Sequence, residues 1–242
     1  MNYLLKTTLI GLFFGTFGTT LGGIIGVTWK QNSNKFLSFI LQFSAGLMTA
    51  IICFDLVPEA LSISGLINTI VGVVFGVVLM IVCDNVVKNK NTKNKNSLLN
   101  TGIIVGIGLA LHNFPEGLAI GSGFGASITL GYSLAIAILL HDIPEGLSMA
   151  VPMKNGGMSK IRALVYTMLS GVTTGLGAFF GAAIGQISEG MIGACLAIAA
   201  GAMLYIVSGE LIPESNKLYK GRIGFVGNIL GFLLGILAFS IN

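Results

Sequence analysis

The sequence predicts an all-α polytopic membrane protein with eight transmembrane helices, and three observations carry that prediction. Of 242 residues, 54% are hydrophobic and 9% are charged, whereas a soluble globular domain carries roughly 25% charged residues. The mean hydropathy is +0.91. The polar residues gather into short clusters that divide long apolar runs. The apolar content excludes disorder, and the 35 glycines follow no three-residue period, which excludes collagen. About eight spans of roughly 20 to 25 residues fill such a length and leave no soluble domain, so residues 1–242 read as a single transmembrane domain. The function must then reside in the spans.

Spans are expected at about 4–29, 36–60, 65–87, 98–122, 128–152, 161–185, 190–213 and 222–241. They are separated by Lys30 to Lys35, Ser62 to Gly65, Lys88 to Ser97, Gly123 to Ser127, Lys154 to Lys160, Gln186 to Gly190 and Ser215 to Arg222. The first span is too long for a signal peptide and lacks a small-residue cleavage site after a short apolar core. Its Gly11, Gly15, Gly18, Gly22, Gly23 and Gly26 suit close helix packing in lipid. Twelve of the thirteen Lys and Arg residues fall in alternate loops: 30 and 35, 88 to 95, 154 to 162, and 217 to 222. By the positive-inside rule those loops are cytoplasmic and both termini lie outside the cell membrane. The Lys/Asn loop at 88–97 reads as a solvated topology signal. Because the basic residues mark loops and share no folded face, no nucleic-acid partner is expected; the surroundings are membrane lipid. Cys53, Cys83 and Cys195 stand singly in apolar runs, as small filler and not as a disulfide framework or zinc ribbon.

The acidic residues are in the wrong place for a passive bundle. Asp55, Glu59, Glu116, Asp142, Glu145, Glu210 and Glu214 lie inside or at the ends of spans, and only Asp84 and Glu189 sit near loops. A carboxylate at the bilayer centre costs about 3 kcal/mol even on lenient insertion scales. No basic residue lies deep in a span to neutralise these groups, so they are either protonated or bound to a cation. Both histidines of the chain lie beside them. Span 4 contains LHNFPEGLAIG (Leu111 to Gly121) and span 5 contains LHDIPEGLSMA (Leu140 to Ala150). His112 and Glu116 are four residues apart and share a helix face, as do His141 and Glu145 on the next span. Asn113 and Asp142 occupy the neighbouring edge. Two imidazoles, three carboxylates and an amide near mid-membrane suit one or two divalent ions such as Zn²⁺, Fe²⁺ or Mn²⁺. Pro115 and Pro144 each remove a helix hydrogen bond, to the carbonyls of Leu111 and Leu140. Such defects are tolerated where the backbone lines a cavity.

Two functions use such a site. One is transport of the ion. The other is an intramembrane metalloenzyme, a hydrolase with a metal-bound water. Ser148 and Ser170 are available, but no nucleophile arrangement points to a reaction, so transport is preferred and no enzyme is expected.

These residues resemble the ZIP family of divalent-metal transporters, whose fourth and fifth spans carry HNxPEG-like motifs. The likeness covers nearly the whole chain: eight spans, outside termini, and the longest basic loop between spans 3 and 4. It implies one metal site of His112, Glu116, His141 and Glu145, and a neighbour formed by Asn113 and Asp142 with the two glutamates bridging. It further implies that the metal is transported substrate with no cofactor (zinc first, with iron, manganese, cobalt or cadmium as alternatives). Movement is toward the cytoplasm, often by a homodimer, with an elevator-like motion. Two departures stand out. Where relatives often carry SGxxEPLGA in span 6, Ser170 to Ala178 place Thr174 at the acid and Gly175 at the proline. The histidine-rich cytoplasmic loop of many relatives is also missing.

The chain also repeats itself. SAGLMTAIICFDLVPEA (Ser44 to Ala60) aligns with AAGAMLYIVSGELIPES (Ala199 to Ser215). Gly46, Met48, Asp55, Pro58 and Glu59 match Gly201, Met203, Glu210, Pro213 and Glu214 at an offset of 155. The two spans run in opposite directions, so the architecture reads as a 3+2+3 inverted-repeat transporter with its site at the midplane. Asp55 and Glu59 then lie near the outer mouth, with Glu210 and Glu214 near the inner one, where they would attract and release the cation. Met48 offers a soft sulfur, although methionine in an apolar span is more often packing.

Overall fold

The computed structural model describes residues 2–28, 33–90 and 98–240, and no strand occurs among them. Lys30 and the 91–97 stretch of the expected Lys/Asn loop lie outside the described residues. The helices are α1 (Tyr3–Thr28), α2 (Asn34–Ile51), α3 (Val57–Lys90), α4 (Leu98–Ala126) and α5 (Ile128–Asn155). They continue with α6 (Lys160–Gly185), α7 (Glu189–Ile206), α8 (Ile212–Leu218) and α9 (Ile223–Ser240).

Local sequence explains where these helices start and stop. Ser33, Ser127, Ser159 and Ser188 each accept a hydrogen bond from the backbone N–H three residues on, capping α2, α5, α6 and α7. Five helices are long and apolar enough to cross a membrane among the described residues: Tyr3–Thr28, Asn34–Val86, Ile128–Asn155, Lys160–Gly185 and Glu189–Leu218. The second runs for 53 residues but breaks at Gly65, whose φ of 74° is readily available to glycine. That break falls at the end of the polar cluster expected to separate spans 2 and 3.

α4 and α5 continue as helices through Pro115 and Pro144. The irregularity lies elsewhere. Ile52–Leu56 and Val207–Leu211 form π-helical turns, closed by hydrogen bonds from Val57 N–H to the Ile52 carbonyl and from Ile212 N–H to the Val207 carbonyl. Pro58 and Pro213 follow directly. A proline ring clashes with the carbonyl four residues back, and the wider turn moves that carbonyl, at Phe54 or Gly209, out of its way. The two turns stand 155 residues apart, at the offset of the sequence match.

Packing divides the helices into two groups: α1, α4, α5 and α6 in one, and α2, α3, α7, α8 and α9 in the other. α1 packs on α5 and α6, and α4 on α5 and α6; α2 packs on α9, and α3 on α7. Contacts of α4 with α7 and of α2 with α5 join the groups. Glycines set the closest approaches, and the glycines themselves recur at the same offset. Gly46 lies against the Asn228 carbonyl and Gly201 against the Val73 carbonyl; Gly22 meets the Ile143 carbonyl and Gly177 the Phe114 carbonyl. In each case an added Cβ would overlap the facing backbone. Between the groups lies an apolar core in which Met48, Ile51, Leu134, Ile138, Leu196 and Met203 are fully buried. Large apolar side chains also cover the outside, including Phe13, Ile67, Phe75 and Phe225. In water such a surface would aggregate; against lipid it is the proper solvent face.

Candidate metal centre

The centre is built where α4 and α5 meet. Glu116 comes from α4, and His141, Asp142 and Glu145 come from α5; one ligand atom of each lies within 4.8 Å of all the others. All four residues are buried. His141 Nε2 is 2.9 Å from Glu116 Oε1, 3.6 Å from Asp142 Oδ1 and 3.9 Å from Glu145 Oε1. Among the described residues, Glu116 Oε2, both oxygens of Asp142 and both of Glu145 find no hydrogen-bond partner. Three carboxylates at this range, out of water, are strongly unfavourable without compensating positive charge. A divalent cation supplies two charges and uses the oxygens as ligands, with the imidazole as the nitrogen donor.

Neighbouring helices hold these side chains in place. Gly18 of α1 faces Asp142, and a Cβ there would fall 2.6 Å from the Asp142 Cβ and 2.8 Å from the Leu139 carbonyl oxygen. The Asn113 Nδ2 donates to the Ser170 carbonyl at 3.0 Å, tying α4 to α6, while its buried Oδ1 has no hydrogen-bond partner among the described residues. Ser44 Oγ of α2 donates to the His141 carbonyl at 3.4 Å, a long contact. Ser44 and Gly18 had no signal in the sequence that separated them from other small packing residues.

The remaining sequence-derived residues are dispersed. His112 is not in the four-residue group; its Nε2 lies 3.4 Å from Glu210 Oε2, on the π-helical turn before α8. Glu210 also acts electrostatically on Glu145, so it stands beside the cluster and at 30% side-chain exposure leads away from it. Asp55 is hydrogen-bonded to Ser133 of α5 and neighbours Glu59. Glu214 is at the surface, in an ion pair with Lys217 at 3.1 Å. Met48 sits in the apolar core. Thr174 is fully buried in the seam between α1 and α6, where a Cβ on Gly15 would lie 2.5 Å from its Cβ and its Oγ1.

A family model described as ZIP zinc transporter matches residues 87–242, a stretch that contains the whole cluster. The chain belongs to the ZIP zinc transporter family. The zinc transporter ZupT of Streptococcus mutans serotype c is 30% identical over 255 aligned residues, covering 97% of each chain. The protein of the same name from Escherichia coli O127:H6 is 31% identical over 237 residues, covering 92% of this chain and 91% of its own. As a ZIP member this multi-pass membrane protein is a divalent-metal transporter and not the intramembrane hydrolase that the same ligands would also have served. The metal is its substrate.

Proposed function

We propose that the protein imports a divalent transition metal, zinc foremost, across the cytoplasmic membrane through a site of Glu116, His141, Asp142 and Glu145. His112 and Asn113 complete the ligand set as the ion passes. The observation that carries this reading is the group of five carboxylate oxygens without a hydrogen-bond partner among the described residues, gathered around a buried imidazole. The names of the relatives favour zinc, and the mixed nitrogen and oxygen donors also accommodate iron, manganese, cobalt and cadmium.

The transport unit is one domain of eight spans with both termini outside, made of two inverted three-span repeats around α4 and α5. This reading draws on the constant offset of matching residues, π-helical turns and glycine contacts. Alternating access is supported by an imbalance between the repeats. Glu210 meets His112, whereas its counterpart Asp55 meets Ser133, eight residues before His141, or about 12 Å along a helix. A carrier resting toward one side would show this imbalance, and its reverse when open to the other side.

Uptake into proteoliposomes with a zinc, iron, manganese, cobalt and cadmium panel tests the function. His112→Ala and Glu116→Ala should both lose uptake, and wild-type rates in both would remove this site from the route.

A further inference from the structure

At the α9 end of the bundle, α2, α8 and α9 border a cavity of about 430 Å³ lined by Gln42, Asn216, Lys220, Arg222, Asn228 and Phe225 among others. No carboxylate lines it. Neither Lys220 nor Arg222 has an ion pair within 4.0 Å among the described residues; the nearby Glu214 is engaged by Lys217. The Gln42 side-chain oxygen accepts from Asn228 Nδ2 at 3.2 Å, so what Gln42 adds to the lining is an NH₂ donor. α9 begins immediately after Arg222, and its first N–H groups add further positive potential. Two cations, the Gln42 NH₂ and the first N–H groups of α9 thus share one cavity without an internal anion, while Asn228, whose Nδ2 is engaged by the two Gln42 oxygens, adds an acceptor.

The fold does not require this polarity. At the offset of 155 that relates contacts in the two halves, Gln42 corresponds to Ala197, Asn216 to Leu61, Lys220 to Gly65, Arg222 to Ile67 and Asn228 to Val73. One close helix approach is the same at both places: the Asn228 carbonyl meets Gly46 as the Val73 carbonyl meets Gly201. One end therefore packs with small and apolar residues, and the other carries a polar, cationic set in the same framework. Topology accounts for basic residues on this side of the membrane; it does not account for Gln42, Asn216 and Asn228 gathered with them around one cavity.

We propose that this cavity binds the phosphate of an anionic phospholipid. Basic pockets between membrane helices are suited to such headgroups. The choice of a lipid over free phosphate follows from the surface beside the cavity. Phe225 lines it and is 66% exposed, and Ile229 and Leu233 continue the same face of α9 at four-residue steps, 41% and 48% exposed. A headgroup in the cavity would lay an acyl chain along that track. The site is separate from the metal cluster and rests on no statement about transport.

The test is lipid binding by native mass spectrometry on the full chain in neutral detergent. Phosphatidylglycerol is compared with phosphatidylcholine of the same chains, and inorganic phosphate serves as the chain-free arm. Wild type should bind phosphatidylglycerol about tenfold more tightly than phosphatidylcholine. Lys220→Gln with Arg222→Gln should abolish that preference, and Lys160→Gln with Arg162→Gln, a charge-matched pair outside the cavity, should retain it. Asn216→Leu installs the residue of the other end and should weaken the preference about threefold through loss of a polar contact. It decides the matter should the double variant fail to fold. Equal loss in the Lys160/Arg162 pair, or no preference in wild type, overturns the site. Full displacement of the lipid by inorganic phosphate would assign it to free phosphate and overturn the lipid.

Discussion

Asp55 and Glu210 hold matching places in the two π-helical turns, yet Asp55 meets a serine hydroxyl of α5 and Glu210 meets the buried imidazole of His112 on α4. The local backbones agree because each turn is widened ahead of a proline. The partners disagree because one acid faces α5 and the other faces α4. The lesson is that equal local backbone does not give the two acids equal partners. In the proposed mechanism each acid serves the cluster in turn.

Four results would break or sharpen this comparison. The largest effect is expected from the glycine seams that hold the halves alike. Gly22→Leu and Gly177→Leu each drive a side chain into a facing carbonyl, at Ile143 and Phe114 respectively. Each should cost about 1–3 kcal/mol or more, read as a lowered melting temperature in detergent, with the two losses similar. A loss in only one would show that the halves are not equivalent in packing. Next, Asp55→Asn with Glu59→Gln should raise the apparent Km for metal about tenfold at low salt, since these carboxylates concentrate the cation. Unchanged kinetics would remove them from the path.

A smaller effect comes from protons. Imidazole and carboxylate ligands bind metal in their deprotonated forms, so uptake should fall as pH drops from about 7.5 to about 5. A flat profile would argue against direct ligation. The smallest effect belongs to Glu214. Its exposed pair with Lys217 is of the weak surface kind, so Glu214→Gln should leave uptake within about twofold of wild type. A larger loss would restore it to the route that its sequence position suggested.

How much of this was legible in the sequence differs by level. The apolar runs, the loop serines and Gly65 marked where helices begin and end, because capping and positive φ are local properties. The four-residue spacing put His141 and Glu145 on one helix face, with Glu116 on the facing helix and Asp142 on the neighbouring edge; their division into two metal sites comes only from the resemblance. Spacing could not reveal that His112 turns toward Glu210, since that depends on how far α4 lies from the turn before α8. Nor could it reveal that Thr174, where the resemblance implies an acid, fills the seam against Gly15. In a span apolar on every side, periodicity carries little information about which face meets which neighbour. The π-helical turns were equally hidden: an irregularity is expected at Pro115 and Pro144, which the helices absorb, and none is read at Pro58 and Pro213, where the turns stand.

The central claim is that metal crosses through Glu116, His141, Asp142 and Glu145. The most direct test is the initial rate of radiolabelled zinc uptake by His141→Ala in proteoliposomes, beside wild type and with matched melting temperatures. Removing the nitrogen ligand that touches all three carboxylates should lower uptake on the order of 100-fold, about one ligand's share of a four-ligand site. An uptake rate within about twofold of wild type, well below a ligand's share, would contradict the account.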